Sequence, residues 1–338
     1  MEVASFLRYI IAGRLQRDYI LPIKGQPSLD VPGGSLLYAA YGLHLWENQI
    51  GLIGRVGEDY PQEWLEKVGQ HGFDLRGIHT IPNSVDQRFF AAYPDAESRS
   101  FSNPVSHFAR LGLPFPKSLL GYVESGSTGE SRVQPGDITV RITDFPEDYL
   151  DATSAHIAPL DFLSHKLLPP VFRQGRISTI TLDPGAGYMT PLFWDEIPGL
   201  LRGITVFHVS EDKLRSLFQG RSTDLWEMAE AIAGYGCEVV VVKRGAFGQY
   251  VYDHSHRTRW TVPAYPSNVV DPTGAGDAFC GGFLAGFRAS YDPLEAALHG
   301  NISASIVIEG CTPFYITDTL PSLVQMRLES LRSLVRKS

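Results

Sequence analysis

The chain has 338 residues, 43% hydrophobic and 20% charged, with a formal net charge of -8, proportions that suit a soluble globular protein with one large α/β domain or two smaller ones. That charge and the absence of any basic run exclude a general binder of nucleic-acid backbone, and no stretch approaches the roughly 20 apolar residues of a membrane span. Cys237, Cys280 and Cys311 are scattered without a CxxC pair, so reduced thiols and a cytoplasmic location are expected.

In chain order, Met1–Ile11 carries Glu2 and Arg8 and lacks the basic start of a signal peptide; a first strand through Tyr9–Ala12 is expected instead. Gly34–Trp46 follows two glycines with apolar residues at helical spacing. Ile50–Ile53 reads as strand and Pro61–His71 as helix. Ser178–Leu182 and Thr205–His208 read as strands, Thr223–Tyr235 as helix and Glu238–Lys243 as strand. The four valines 239–242 suit a strand buried on both faces. Asp277–Ser290 and Pro293–Glu309 read as paired helices, and the tail from Leu320 as an amphipathic helix with Arg336 and Lys337 at its end. Alternating strand and helix predicts a mostly parallel sheet with helices on both faces. Segments 18–31 and 87–102 fall outside that alternation and read as extra strands. Segment 121–137 (GYVESGSTGESRVQPGD) reads as a mobile loop or insertion.

The chemistry concentrates in Val269–Arg288, VVDPTGAGDAFCGGFLAGFR. Gly274 and Gly276 let the backbone turn sharply and leave the N–H groups of Ala275, Gly276 and Asp277 open to an anion at a helix start. A carboxylate beside a bound phosphate needs a task, and accepting the proton of an attacking hydroxyl is the natural one for Asp277. The helix that follows holds Gly281, Gly282 and Gly286. Each glycine costs about 0.8–1 kcal/mol against alanine inside a helix, so tight packing is expected there. The bland alternative for GAGD is a strand-to-helix turn capped by an aspartate. A third glycine for a dinucleotide fingerprint is missing, as is a G-x-x-x-x-G-K-[ST] loop.

These motifs resemble the ribokinase-like (PfkB) carbohydrate kinases, and the resemblance runs through most of the chain in order. Gly13 with Asp18 five residues later, the pair Gly33-Gly34 opening a helix, LIGRVGEDYP (Gly54, Gly57, Asp59), VVVKRGAFGQYVY (Lys243, Gly245, Gly248), DPTGAGDAFCGGF and His299-Gly300-Asn301 match the family's blocks in sequence. The resemblance implies a single kinase domain over 1–338, a central sheet, and a small β-sheet lid formed by the segments about 18–31 and 87–102. It implies an ATP-dependent kinase acting on a hydroxyl of a small sugar or sugar-like acceptor, with Asp277 as base and Gly274, Ala275 and Gly276 as phosphate anion hole. Lys243, Gly245, Gly248 and Asn301 would face the nucleotide. Asp18, Gly33, Gly34 and Tyr38 would face the acceptor. Asp271 matches a position near a monovalent cation, so K⁺ joins Mg²⁺ and ATP among the expected ligands, and a homodimer is within the family's range.

The chain also departs from that pattern. Tyr38 stands where sugar kinases carry asparagine, and Ser35 follows the glycine pair. Ser210 and Lys213 stand at the asparagine and glutamate of the N-x-x-E metal motif. Asp183-Pro184-Gly185-Ala186-Gly187 replaces D-x-N-x-R. The alternatives are a nucleoside or inositol kinase of the same fold, or a ligand-binding protein on a kinase scaffold with reduced catalysis. Arg88, Arg99 and His107 fall in or near the expected lid, and His254 and His256 read as a hairpin tip.

Overall fold

The computed structural model describes residues 7–95, 98–124 and 130–337. Its strands are β1 (Tyr9–Ala12), β2 (Gln16–Leu21), β3 (Ser28–Gly33), β4 (Ile50–Gly57), β5 (Asp74–Ile81), β6 (Arg88–Ala92), β7 (Ser154–Ile157), β8 (Thr179–Leu182), β9 (Val206–Ser210), β10 (Val239–Lys243), β11 (Gln249–Asp253), β12 (Thr258–Val262) and β13 (Arg336–Lys337). Its α-helices are α1 (Ser35–His44), α2 (Gln62–Gln70), α3 (Pro104–Arg110), α4 (Phe162–Phe172), α5 (Ile197–Leu201), α6 (Glu211–Leu217), α7 (Leu225–Ala233), α8 (Ala275–Ser290), α9 (Pro293–Val307) and α10 (Pro321–Arg332).

Ten strands form one sheet in the order β13-β12-β11-β10-β9-β8-β7-β1-β4-β5. From β10 to β5 every pairing is parallel, and β11, β12 and β13 close the other edge antiparallel. Alternate side chains of the central strands enter opposite cores, as the pleat requires. Ile10, Ala12, Val240 and Val242 pack beneath α4, α6 and α7. Tyr9, Ile11, Val239 and Val241 pack beneath α1, α8 and α9.

The second sheet, β3-β2-β6, has its own small core of Tyr19, Leu21, Phe90, Phe108 and Leu119. Its β2 and β3 leave the main sheet directly after β1 and return at α1, and β6 follows β5. It therefore stands over the carboxyl edge of the parallel strands, where α/β folds place ligands. The expected lid segments lie here. The strands start and end a few residues from the expected bounds, and Ala92 bridges to Ser100 beyond β6.

Two expectations change. Arg336 and Lys337 do not end a helix; they pair with the open edge of β12 at Thr261 and Trp260. Asp277 is not the first residue of its helix, since α8 opens at Ala275 behind Gly274, whose φ of 73° is left-handed and suits glycine. Part of the 121–137 insertion, residues 125–129, lies outside the described residues. Its far side is held: Glu130 accepts the Phe162 N–H at 2.9 Å, and Arg132 pairs with Glu196 at 3.1 Å. No helix among the described residues is long and apolar enough to cross a membrane.

Candidate active site

The turn into α8 is built as the sequence suggests. The Ala275 N–H donates to Pro272 O at 3.3 Å, and the Asp277 N–H to Gly274 O at 3.1 Å. The Gly276 N–H has no hydrogen-bond partner in the described chain, which leaves it as the open donor of the three proposed for the anion hole. A Cβ on Gly276 would sit 3.3 Å from Lys243 Nζ. Asp277 lies in the first turn of α8. Burial pushes its carboxyl up to about 6; Asp183 adds to the rise, and Lys243 and Lys213 oppose it. A carboxyl in that range is a usable base near neutral pH.

Behind this turn lies a charge cluster that the sequence reading did not assign. Asp183, buried at the carboxyl end of β8, accepts from Lys213 Nζ at 3.1 Å and from Lys243 Nζ. Lys213 also donates to Pro184 O at 2.7 Å, and Lys243 to Gly276 O at 3.2 Å. Burial alone would raise Asp183, but the two ammonium groups outweigh it and hold the carboxyl below the usual range. An aspartate directly after a predicted parallel strand was the available signal, since that edge carries sites. Ser210 Oγ caps α6 by accepting the Lys213 N–H. Positions 210 and 213 thus offer a cap and an ammonium where the family pattern expects metal-organising groups. Among the described residues no cluster of three metal-ligating side chains is present.

On the acceptor side, Asp18 is buried and neither carboxyl oxygen makes a well-formed hydrogen bond. Burial raises its pKa well above the ordinary value; Asp271 and Asp277 add to the rise, and the nearby Gly34 N–H opposes it. Its carboxyl occupies the space above Gly33, where a Cβ would fall 1.8 Å from Oδ2. Gly34, at φ 97°, packs its Cα against Arg14 O. Asp271 is buried, takes the Thr273 N–H on Oδ1 at 2.9 Å and leaves Oδ2 without a partner. Thr273 Oγ1 donates to Tyr93 from the lid segment at 3.1 Å.

Tyr38 is 3% exposed and clusters with Ala278, Val307 and Ile308. Its ring lies against Gly274, where a Cβ would fall 2.1 Å from ring carbons. The tyrosine that departs from the family pattern therefore braces the turn into α8.

The remaining expected residues divide. Gly245 and Gly248 both have left-handed φ, 55° and 79°, in the turn between β10 and β11. Asn301 is buried: it accepts the Tyr265 N–H and donates to Gln249 and to Pro263 O. Its amide pins the loop ahead of Asp271 rather than standing open to a ligand. Arg88 is spent on Asp86, Ser118 O and Leu120 O within the lid region, whereas Arg99 reaches Asp212 on α6. His107 faces Arg110, and His256 pairs with Asp253 at the β11–β12 hairpin. Cys280 lies behind Lys243, and burial pushes its thiol up, so the helix start does not activate it.

The sequence pattern described as "pfkB family carbohydrate kinase" matches residues 185–312, which hold the α8 turn and Lys243. The chain is 28% identical to the cytidine kinase of Thermococcus kodakarensis over 299 residues, 86% of this chain and 91% of that protein. It is 30% identical to the 5-dehydro-2-deoxygluconokinase of Geobacillus kaustophilus over 312 residues, 87% of this chain and 83% of that one. A fructokinase double mutant from Vibrio cholerae, solved with fructose, ADP and potassium, superposes with a TM-score of 0.67 at 18% identity, covering 96% of this chain and 99% of its own. A parallel sheet under a three-stranded lid, a GAGD turn at its carboxyl edge and this set of relatives lead to one assignment: the chain belongs to the pfkB family of carbohydrate kinases and is a phosphotransferase for a small sugar-like acceptor.

Proposed function

We propose that the protein transfers the terminal phosphoryl group of ATP to a hydroxyl of a small sugar or nucleoside, with Asp277 as the general base. The observation that carries this reading is the position of Asp277: in the first turn of α8, one residue from the open Gly276 N–H, with a carboxyl raised to about 6. The acceptor oxygen bonds to the γ-phosphorus as the bond from that phosphorus to the bridging oxygen breaks. ADP leaves with the electron pair, and the acceptor's proton passes to the Asp277 carboxylate. The Gly276 N–H and the helix start stabilise charge on the transferred group, and Lys243, held beside Gly276, adds a fixed cation.

The acceptor enters beneath the lid, where Asp18 accepts one of its hydroxyl protons in a hydrogen bond. Gly33 and Gly34 give it backbone room, Tyr38 keeps the turn in place, and Gly245 and Gly248 shape the nucleotide side. Asp271, with one buried oxygen unpartnered, would hold a monovalent cation such as K⁺. Mg²⁺ bound with the nucleotide would supply neutralisation of phosphate charge, and Ser210 and Lys213 offer it no carboxylate.

The test is ATP turnover against sugars, polyols and nucleosides with wild type and Asp277→Asn. The variant should bind ADP as wild type does and lose about 10²–10⁴-fold in rate. With the carboxylate as the active form, the wild-type rate should climb as pH rises through about 6 and level above it. A variant as fast as wild type, or a rate flat from pH 5 to 8, would remove Asp277 from the role.

A further inference from the structure

Ser210 and Lys213 occupy the two positions where the family pattern places the groups that organise a divalent ion, and they do not fit that ion. Ser210 Oγ caps α6 by accepting the Lys213 N–H at 3.3 Å. A protonated ammonium has no lone pair for a metal or for its waters. The neighbouring carboxylates do not take over the task. Glu211 pairs with Arg215 at 2.7 Å and with Arg244 at 3.0 Å, and Asp212 pairs with Arg99. Among the described residues no three metal-ligating side chains come together.

A pair of cations stands there instead. Asp183 gives one oxygen to Lys213 Nζ at 3.1 Å and the other to Lys243 Nζ, so a single carboxylate sets two ammonium groups side by side. Lys243 also donates to Gly276 O at 3.2 Å, in the residue whose own N–H is open. Lys213 donates a second N–H to Pro184 O at 2.7 Å. An ammonium has three donors, and the third on Lys213 has no acceptor among the described residues. The Lys213 side chain is 20% exposed against 3% for Asp183, so the cluster opens to solvent at Lys213. Both ammonium groups act on the Asp277 carboxyl, which puts Lys213 as well as Lys243 within electrostatic range of the α8 turn. Asp183, Lys213 and Lys243 together carry one net positive charge. With a glutamate at 213 the same set would carry one net negative charge and would need a bound cation to receive phosphate.

We infer that Lys213 is a phosphate-binding residue: its ammonium, oriented by Asp183 beside Lys243, meets the charge of a nucleoside polyphosphate in place of a metal organised by the protein. This rests on the kinase reading above and extends it to the nucleotide. Phosphate oxygens accept the free Lys213 N–H and the Gly276 N–H, and lysine binds phosphate as a point charge. A divalent ion brought to the same place would meet like charge, so it adds little to nucleotide affinity.

The experiment is calorimetric titration of ADP into wild type, Lys213→Gln and Lys213→Arg, each with EDTA and again with saturating Mg²⁺, with melting curves on the same samples. Wild type should bind ADP in EDTA to within about threefold of its affinity in Mg²⁺. Gln keeps a donor for Pro184 O and loses the charge, so its affinity in EDTA should fall about tenfold, the scale of one charge contact at a partly hydrated site. Arg keeps the charge and should stay within about threefold of wild type. If Gln melts cooperatively and binds ADP as wild type does, Lys213 only neutralises Asp183 and the inference fails. If Mg²⁺ tightens ADP on wild type by tenfold or more, a metal organises the phosphates and the inference fails, a comparison that stands even where Gln does not fold. In both cases ADP still binds and the kinase reading is untouched. If wild type binds ADP in neither condition, the kinase reading falls and takes this inference with it.

Discussion

Asp277 is held in a state that suits catalysis and disfavours the folded chain. Its folded pKa, about 6, lies above the roughly 3.9 of a free aspartate. Above pH 6 the folded state therefore carries a penalty, which fades as pH falls from 6 towards 4. The side chain is partly open to solvent, so screening reduces the penalty to about 1–2 kcal/mol. Asp277→Asn should unfold at higher denaturant than wild type at pH 7.5 by that amount and show no difference near pH 4. Lys213 works in the opposite direction. Its ammonium is committed to Asp183 and Pro184 O, so Lys213→Glu would set a second carboxylate beside a buried one. We expect a loss of about 3–5 kcal/mol, the scale for breaking a buried pair, with no gain in Mg²⁺ affinity by titration. At this scale the GAGD turn into a helix was legible because glycines directly after a short apolar strand mark a sharp entry. Asp183 was hidden because its meaning depends on Lys213 and Lys243, 30 and 60 residues away.

Among the elements, α8 shows why a helix tolerates three glycines. A Cβ on Gly281 would fall 1.9 Å from Ala39 O of α1, and one on Gly42 of α1 would fall 2.3 Å from Ala278 O of α8. Gly282 and Gly286 lie against α9, where a Cβ would meet first the side chains of Ser303 at 2.3 Å and His299 at 2.8 Å. At Gly281 and Gly42 backbone meets backbone, and there is no flexible side chain to move aside. Gly281→Ala should therefore lower stability by about 2–3 kcal/mol, as overpacking does, even though alanine is the better helix former; a melting curve decides it. The close packing was readable from glycine content. Other elements were not. β5 is an edge strand with exposed residues and Gly77 inside it, and β7 has only four residues, Ser-Ala-His-Ile, without an apolar run. α4 runs through Pro169 and Pro170, which a sequence rule takes as a stop.

For the molecule as a whole, the order of blocks along the chain was enough to place a sheet and a small lid sheet beside it. Which lid residues hold the body was not readable, because those contacts join distant segments. Ile23 donates to Val270 O at 3.0 Å, Lys24 to Asn268 at 3.1 Å and Thr273 to Tyr93. These contacts and the exposed Arg99–Asp212 pair hold the far side of the lid lightly, since exposed ion pairs add about 0–1 kcal/mol; the firmer tie is buried Gln87, which accepts the Gly57 N–H and donates to Leu15 O and Arg55 O. The Ile23 amide should exchange with solvent through local opening, well before the Ile10 and Ile11 amides of β1. ADP with acceptor should slow Ile23 selectively; equal rates at the three amides would mean that lid and body open together.

The meeting of α1 and α8 has a consequence in time. Ser303 bonds Gly42 O across 261 residues of chain, and Gly281 completes the same contact. During synthesis, at roughly 5–20 residues per second, the face of α1 that these residues cover stays without its partner for on the order of 13–50 s. Through that interval Leu37, Ala40 and Leu43, all buried in the finished protein, are open to whatever the nascent chain meets, and a chaperone acting early on this protein would find its binding surface there.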